Sequence, residues 1–191
     1  MGEIRLIKPS VKYAEKIAEY RAEFPIERER VTYDPSRIPG MDYLEKYDNV
    51  LDWLQFCENI SDKLTWYMSI RKSDSKIVGF IVFRHKLEYD DDNIEFASNF
   101  GYSVCPSERG KGYAKEQLRL GLQKAKEFGL DKVRIICSDI NIGSNKTILA
   151  NSGVYVDTIH GEISGLNVNR YDIQISMNIN RKAITSEVNE P

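Results

Sequence analysis

Two glycines one residue apart, Gly110 and Gly112, stand between an alternating apolar run and a stretch whose apolar residues recur every three or four positions. The local sequence is Val104-Cys105-Pro106-Ser107-Glu108-Arg109-Gly110-Lys111-Gly112-Tyr113-Ala114. Glycine lets backbone come within hydrogen-bonding distance of a bulky anion, and the unpaired N–H groups and positive end of a following helix favour phosphate there. Arg109 and Lys111 add positive charge. A tight turn with no ligand is the competing reading of Gly-x-Gly. Neither G-x-x-x-x-G-K-[ST] nor G-x-G-x-x-G is present, so the two common nucleotide loops are disfavoured. Further along, Asn141 and Ser144 open another helical stretch, where either residue suits a helix cap.

Arg109-x-x-Gly112-x-Ala114 resembles the [Q/R]-x-x-G-x-[G/A] loop of the GNAT N-acetyltransferase superfamily, and Asn141-x-x-Ser144 resembles its N-x-x-[A/S]. Phe83-Arg84-His85 and Gly101-Tyr102-Ser103-Val104-Cys105-Pro106-Ser107-Glu108-Arg109 are similar to a subgroup of bacterial predicted acetyltransferases. The resemblance implies acetyl-CoA as cosubstrate, with its pyrophosphate on Arg109, Gly110, Lys111, Gly112, Tyr113 and Ala114. It implies an oxyanion donor at the N–H of Val104 or a neighbour. The pantetheine arm is expected between the strand ending at Val104 and the strand Val133–Ser138, close to Asn141 and Ser144. The reaction implied is acetyl transfer to a primary amine by direct attack, without a metal. The acceptor is a small amine, an amino acid or a protein N-terminus. One departure stands out: many GNAT members carry a tyrosine acid seven positions after the asparagine, and here that position is Ile148. It keeps a second function open, a CoA-binding sensor or scaffold of this fold without transfer activity.

Three residues are catalytic candidates. Glu95 falls on the small, polar face of its strand, where GNAT enzymes often keep a base. His85, at a strand end, titrates near neutrality and suits proton removal from an amine. Tyr155 is a substitute phenol for the missing acid. Each has a plainer reading as a surface residue. Arg84 could orient a carboxylate on the acceptor. Tyr33, Tyr43, Tyr47 and Trp53 form either an acceptor wall or ordinary core. Cys105, beside the expected thioester site, is a small strand-end residue or, less simply, a covalent nucleophile.

These residues need a frame of strands and helices. Glu3–Ile7, Thr65–Arg71, Lys76–Arg84, Ile94–Val104, Lys132–Ser138, Val154–Ile159 and Arg170–Ile179 read as strands. A helix with Ser10 expected as its N-cap, a second marked by Leu44, Tyr47, Leu51 and Leu54, a third from Ala114 to Gly129, and a short one near Ser144–Asn151 complete the pattern. The predicted order is βααβββαβαββ: an α/β GNAT fold with a mixed central sheet of about seven strands and about four flanking helices.

The 191 residues suit one domain, expected over 1–184, with 185–191 as a flexible tail. With 27 Lys+Arg against 29 Asp+Glu, no broad positive field marks nucleic acid as a partner. Three scattered cysteines and two histidines support neither zinc nor a disulfide framework. No apolar run is long enough for a membrane span, and a cytoplasmic setting is expected. The final hairpin, Val154–Ile179, has an edge that could pair two subunits in a homodimer.

Overall fold

The computed structural model describes residues 3–24, 37–87, 97–160, 165 and 167–175. The elements run β1 (Ile4–Ile7), α1 (Ala14–Ala22), α2 (Val50–Asn59), β2 (Leu64–Arg71), β3 (Ile77–Arg84), β4 (Phe100–Val104), α3 (Tyr113–Phe128), β5 (Lys132–Ser138), α4 (Ile142–Leu149), β6 (Val154–His160) and β7 (Asn167–Gln174). Their order is the predicted one.

The strands form two antiparallel groups, β1-β2-β3-β4 and β5-β7-β6. The groups meet at Ser98 and Asn99, where the Ile136 N–H donates to Ser98 Oγ at 3.4 Å. The Asn99 N–H donates to the Arg134 carbonyl at 2.8 Å, and Asn99 Oδ1 accepts from the Arg134 N–H at 2.8 Å. Beyond that point no backbone hydrogen bond joins β4 to β5 among the described residues. The two sheets, seven strands in all, are therefore joined at Ser98 and Asn99 and parted further along β4.

Alternation along the central strands builds a core on each face. On one side Ile17 and Tyr20 of α1 and Trp53 and Leu54 of α2 pack over Met68, Ile70, Phe80 and Val82. On the other, Leu118 and Ala125 of α3 meet Ile81, Phe83, Phe100, Val133 and Ile135. Full burial of a side chain such as Leu118 contributes about 1.5–3 kcal/mol, so each helix is held mainly by its apolar stripe.

Helix ends depart from the sequence pattern in instructive ways. Ser10 makes no side-chain cap bond; a 3-10 turn over Val11–Tyr13 comes first and α1 starts at Ala14. Leu44 belongs to a separate 3-10 turn, Leu44–Lys46, and α2 starts at Val50 because Asn49 Oδ1 accepts from the Asp52 N–H at 3.0 Å. Gly129 ends α3 as predicted, at φ 100° with its N–H on the Ala125 and Lys126 carbonyls. β4 starts at Phe100, since Asn99 turns its N–H away to β5. Residues 94–96, 176–179 and the expected tail 185–191 lie outside the described residues.

Gly40 lays the segment before α2 flat on the sheet. At φ 88° it sits so close that a Cβ would fall 2.5 Å from the Phe80 carbonyl oxygen and 3.1 Å from Tyr102 Cα.

Candidate active site

Among the described residues, the backbone lining the opening between β4 and β5 makes no strand-to-strand bond; the Ile136 N–H of β5 goes instead to Ser98 Oγ at 3.4 Å. The Cys105 N–H donates to the Val78 carbonyl at 3.0 Å, and the Arg84 N–H to that of Asn99 at 2.8 Å. Odd-numbered residues of β4 thus turn their backbone groups to β3, and alternation turns those of Tyr102 and Val104 towards the opening. Arg109 Nε lies 3.4 Å from the Val104 carbonyl oxygen, at the far end of that opening.

There α3 begins. Gly110 and Gly112 take left-handed conformations, φ 76° and 82°, and a Cβ at Gly110 would meet open space. No side chain caps the helix, whose first hydrogen bond runs from the Glu116 N–H to the Gly112 carbonyl. The N–H groups of Tyr113, Ala114 and Lys115 precede that bond, so α3 keeps its positive end for a ligand. Tyr113 itself is buried beside Ile4 and Val78, its hydroxyl accepting from Arg71 at 3.3 Å, and Ala114 is half-buried.

Charge in this loop is organised around Glu108, which is only 5% exposed. Its carboxylate meets Lys111 Nζ at 2.8 Å, Arg71 Nη1 at 2.8 Å and Lys76 Nζ at 3.1 Å. Lys111 above all, with Lys76 and Arg71, holds the Glu108 carboxyl down to about 2. Lys111 also donates to the Ser107 carbonyl at 3.1 Å, so it folds back onto its own loop. Arg109 is exposed, its guanidinium 5.9 Å from the centre of the Phe24 ring.

α1 is tied to the same loop. The Tyr20 and Ser103 hydroxyls lie 3.1 Å apart, Glu23 Oε2 accepts from the Ser107 N–H at 3.3 Å, and Lys76 lies 3.6 Å from Glu23. Cys105 is buried, and burial raises its thiol further, with the Glu23 carboxylate adding to the shift. A thiol kept protonated in this way is a poor nucleophile.

α4 opens on the other side of the parted strands. Asn141 Oδ1 accepts from the Ser144 N–H at 3.0 Å, an N-cap. The Ser144 hydroxyl lies 2.8 Å from that of Tyr102, which bridges the opening. Burial raises the Tyr102 phenol, and pushes the neighbouring Cys137 thiol up to about 11 despite a Ser144 hydrogen bond. Ile148 is fully buried in the core.

The three catalytic candidates part company. His85 is buried at the end of β3 remote from Gly79, which pairs with Val104. Its Nδ1 donates to the Asp62 carbonyl at 2.8 Å, and Nε2 lies 2.8 Å from the Thr65 hydroxyl. With Phe83 and Phe128 rings 5.1 and 4.3 Å away, it pins the C-terminal end of α3. Tyr155 lies on the outermost strand, with β7 between it and β5, and its hydroxyl meets Thr158 at 2.8 Å. Glu95 lies outside the described residues.

On the α1–α2 face, Trp53 is fully buried and donates to the Asp42 carbonyl at 3.0 Å, while Tyr43 and Tyr47 pack on Phe56 at 5.2 and 5.5 Å. Trp53 is core, while Tyr43 and Tyr47 are partly buried and pack against that core; Tyr33 lies outside the described residues. Arg84 pairs with Asp42 and donates to the Ser98 carbonyl at 3.0 Å. A cavity of about 920 Å³ lies between α1 and the start of α2, lined by Ala14, Ala18, Phe24, Ile38, Leu44 and Glu45 among others. Among the described residues no group of three or more His, Cys, Asp or Glu could hold a metal, and no helix is long and apolar enough to cross a membrane.

Sequence reasoning missed Glu108 and Tyr102. Glu108 was signalled only by its place in an alternating Glu-Arg-Gly-Lys run, and Tyr102 by its place among the apolar residues of β4.

Comparison with known proteins gives this geometry a context. Residues 5–152 match the family described as the acetyltransferase (GNAT) domain. No curated protein matches the sequence significantly. Among solved structures, the microcin C7 self-immunity acetyltransferase MccE, in complex with acetyl-CoA and AMP, is similar at 22% identity and TM-score 0.66, over 91% of this chain and 93% of that one. The Salmonella typhimurium acetyltransferase that modifies the N-terminal serine of ribosomal protein L7/L12 aligns at 13% identity and TM-score 0.68, over 91% and 95%. Vibrio cholerae spermidine N-acetyltransferase, in complex with CoA and spermine, aligns at 14% identity and TM-score 0.65, over 90% and 95%.

Proposed function

The chain belongs to the GNAT acetyltransferase family, and from that premise we propose that it moves an acetyl group from acetyl-CoA to a primary amine by direct attack. The observation that carries this reading is the opening between β4 and β5 above Asn99, beside the uncapped start of α3. Neutral amine nitrogen bonds to the thioester carbonyl carbon, the oxyanion forms, and the C–S bond then breaks to release CoA thiolate. Backbone N–H groups of β4 that face the opening, Val104 or a neighbour, meet the oxyanion. The N–H array of α3 and Arg109 take the diphosphate.

Proton handling falls to few groups. Glu95 remains our candidate base, while the settings of His85 and Tyr155 favour the plainer roles described above. In place of the tyrosine replaced by Ile148, we assign proton supply to the sulfur to the Ser144–Tyr102 hydroxyl pair, 2.8 Å apart. Burial keeps the Tyr102 phenol protonated at working pH, so it is not the net acid: Ser144 passes its proton to the sulfur, takes one from Tyr102, and Tyr102 takes one from solvent water in the same relay.

For the acceptor, a small amine and a protein N-terminus are the two classes, since relatives of this fold include a spermidine and a ribosomal-protein acetyltransferase. We place the enzyme in the cytoplasm, acting as one domain over 1–184. Its exposed edge strand β6, with Val154, Tyr155 and Val156 at the surface, supports pairing with a second copy, which light scattering across a concentration series tests.

Calorimetric titration of acetyl-CoA is the test, followed by release of CoA thiol with a panel of amines. Saturable binding and amine-dependent thiol release support the enzyme. The buried Ile148 favours one other reading, a CoA-binding sensor, which predicts binding without thiol release. No binding at millimolar acetyl-CoA overturns both.

A further inference from the structure

The loop expected to hold the diphosphate carries two cations, Arg109 and Lys111, but they are used differently. Lys111 Nζ sits 2.8 Å from Glu108 Oε2, and the same oxygen receives Arg71 Nη1 at 2.8 Å. The other oxygen receives Lys76 Nζ at 3.1 Å. Arg71 and Lys76 flank the β2–β3 turn, which Asp74 also holds to Arg71 at 2.5 Å. One buried carboxylate thus gathers a cation from its own loop and two from a hairpin more than thirty residues away. Of the groups facing this cluster, Arg71, Lys76 and Lys111 are balanced by Asp74, Glu108 and Glu23. Arg109 has no carboxylate partner among the described residues and lies at the mouth of the opening.

Resting on the acetyl-CoA reading above, we propose that Glu108 is a positioning residue for the cofactor diphosphate. It fixes the turn before Gly110 and Gly112 to the β2–β3 hairpin, so that the N–H groups of α3 point outward in a single arrangement. It also keeps Lys111 on the protein, leaving the diphosphate to Arg109 and backbone.

Two physical effects of removing this carboxylate oppose each other, and salt separates them. Loss of the brace lets the loop take other shapes, an ordering cost that binding must then meet at any ionic strength. Release of Lys111 adds a cation near the anion, and that attraction is screened by salt. In Glu108→Gln, acetyl-CoA affinity measured by calorimetry in 0.5 M salt is expected to weaken about tenfold, the scale of lost pre-organisation in a small ligand site. Its salt dependence steepens relative to wild type. In Glu108→Gln/Lys111→Met the steepening vanishes while the weakened high-salt affinity stays. A Glu108 with only a fold-stabilising role lowers the melting temperature without changing the salt dependence.

Wild-type high-salt affinity in Glu108→Gln, or an unchanged salt dependence, overturns the proposal. If Glu108→Gln does not fold by circular dichroism, Lys76→Met removes one arm of the brace. Weaker high-salt affinity in that variant supports the proposal, and wild-type affinity overturns it. Failure of the wild-type protein to bind acetyl-CoA is the separate outcome that removes the cofactor reading itself.

Discussion

α3 and α4 start on the two sides of the same parted strands, yet their first turns are built on opposite principles. α4 is closed by its own sequence, because Asn141 Oδ1 takes the Ser144 N–H at 3.0 Å. α3 starts on Gly112, whose lack of a side chain leaves the first N–H groups without a cap. A helix terminus satisfied from within adds stability and has little left to offer a ligand. One left open loses that stabilisation and becomes an anion site. The loop before α3 makes up the difference elsewhere, through the four-residue ion cluster at Glu108.

Closing the open end should have the largest effect. In Gly112→Val a β-branched residue must hold φ near 82°, which costs roughly 1–2 kcal/mol, and its side chain projects where N–H groups need an approach. Acetyl-CoA affinity is expected to fall more than about a hundredfold by calorimetry, close to 3 kcal/mol, while circular dichroism still reports a folded chain. Affinity within a few-fold of wild type would erase the contrast between the two helices.

Acid separates the two ends next. The folded Glu108 carboxyl titrates at about 2, below its ordinary 4.5. Its contribution to stability is therefore complete above about 4.5 and is lost as pH falls towards 2. The amide cap of α4 does not titrate in that range. Removing a partner from a cluster so buried on one side and so wet on the other costs about 2 kcal/mol. Glu108→Gln should lose that much at pH 7 in urea unfolding and show a flatter decline between pH 4.5 and 2. A decline as steep as that of wild type would place the acid sensitivity on other carboxylates.

How much of this contrast the sequence carries depends on the range of the signal. Gly112 and Gly129 are legible because a left-handed backbone has few alternatives to glycine, and both adopt it. The element order is legible because core alternation and helical spacing act within a few residues. Ser10 misled because serine before an apolar stripe also suits a 3-10 entry. The Glu108 cluster could not be read: Arg71 and Lys76 come from a hairpin whose distance in sequence says nothing of its distance in space. His85 is similar, since its partners Thr65, Asp62 and Phe128 are assembled only by the fold.

The closed end offers a milder test. Asn141→Ala removes the cap, for an expected loss of about 1 kcal/mol in urea unfolding. Asn141→Ser keeps a neutral capping oxygen and removes the Nδ2 donor. Full stability with weakened acetyl-CoA binding in the serine variant assigns Asn141 a contact with the cofactor arm in addition to its cap. Full stability with unchanged binding makes it a cap alone.

The smallest expected effect concerns the hydroxyl bridge across the opening. Tyr102→Phe removes the 2.8 Å bond to Ser144 but keeps the ring against the α3-side core. A typical intramolecular hydrogen bond contributes about 1 kcal/mol net, and Ser144 can turn to water, so the stability loss should stay at or below that figure. The effect on turnover is more informative. If the pair supplies the proton to departing sulfur, Tyr102→Phe and Ser144→Ala should lower kcat together with little change in the KM for acetyl-CoA. Because the two hydroxyls act in series, the double variant should be no slower than the worse single one. Additive losses would mean two separate contacts, and the opening would then be bridged for packing, with the proton reaching sulfur from water.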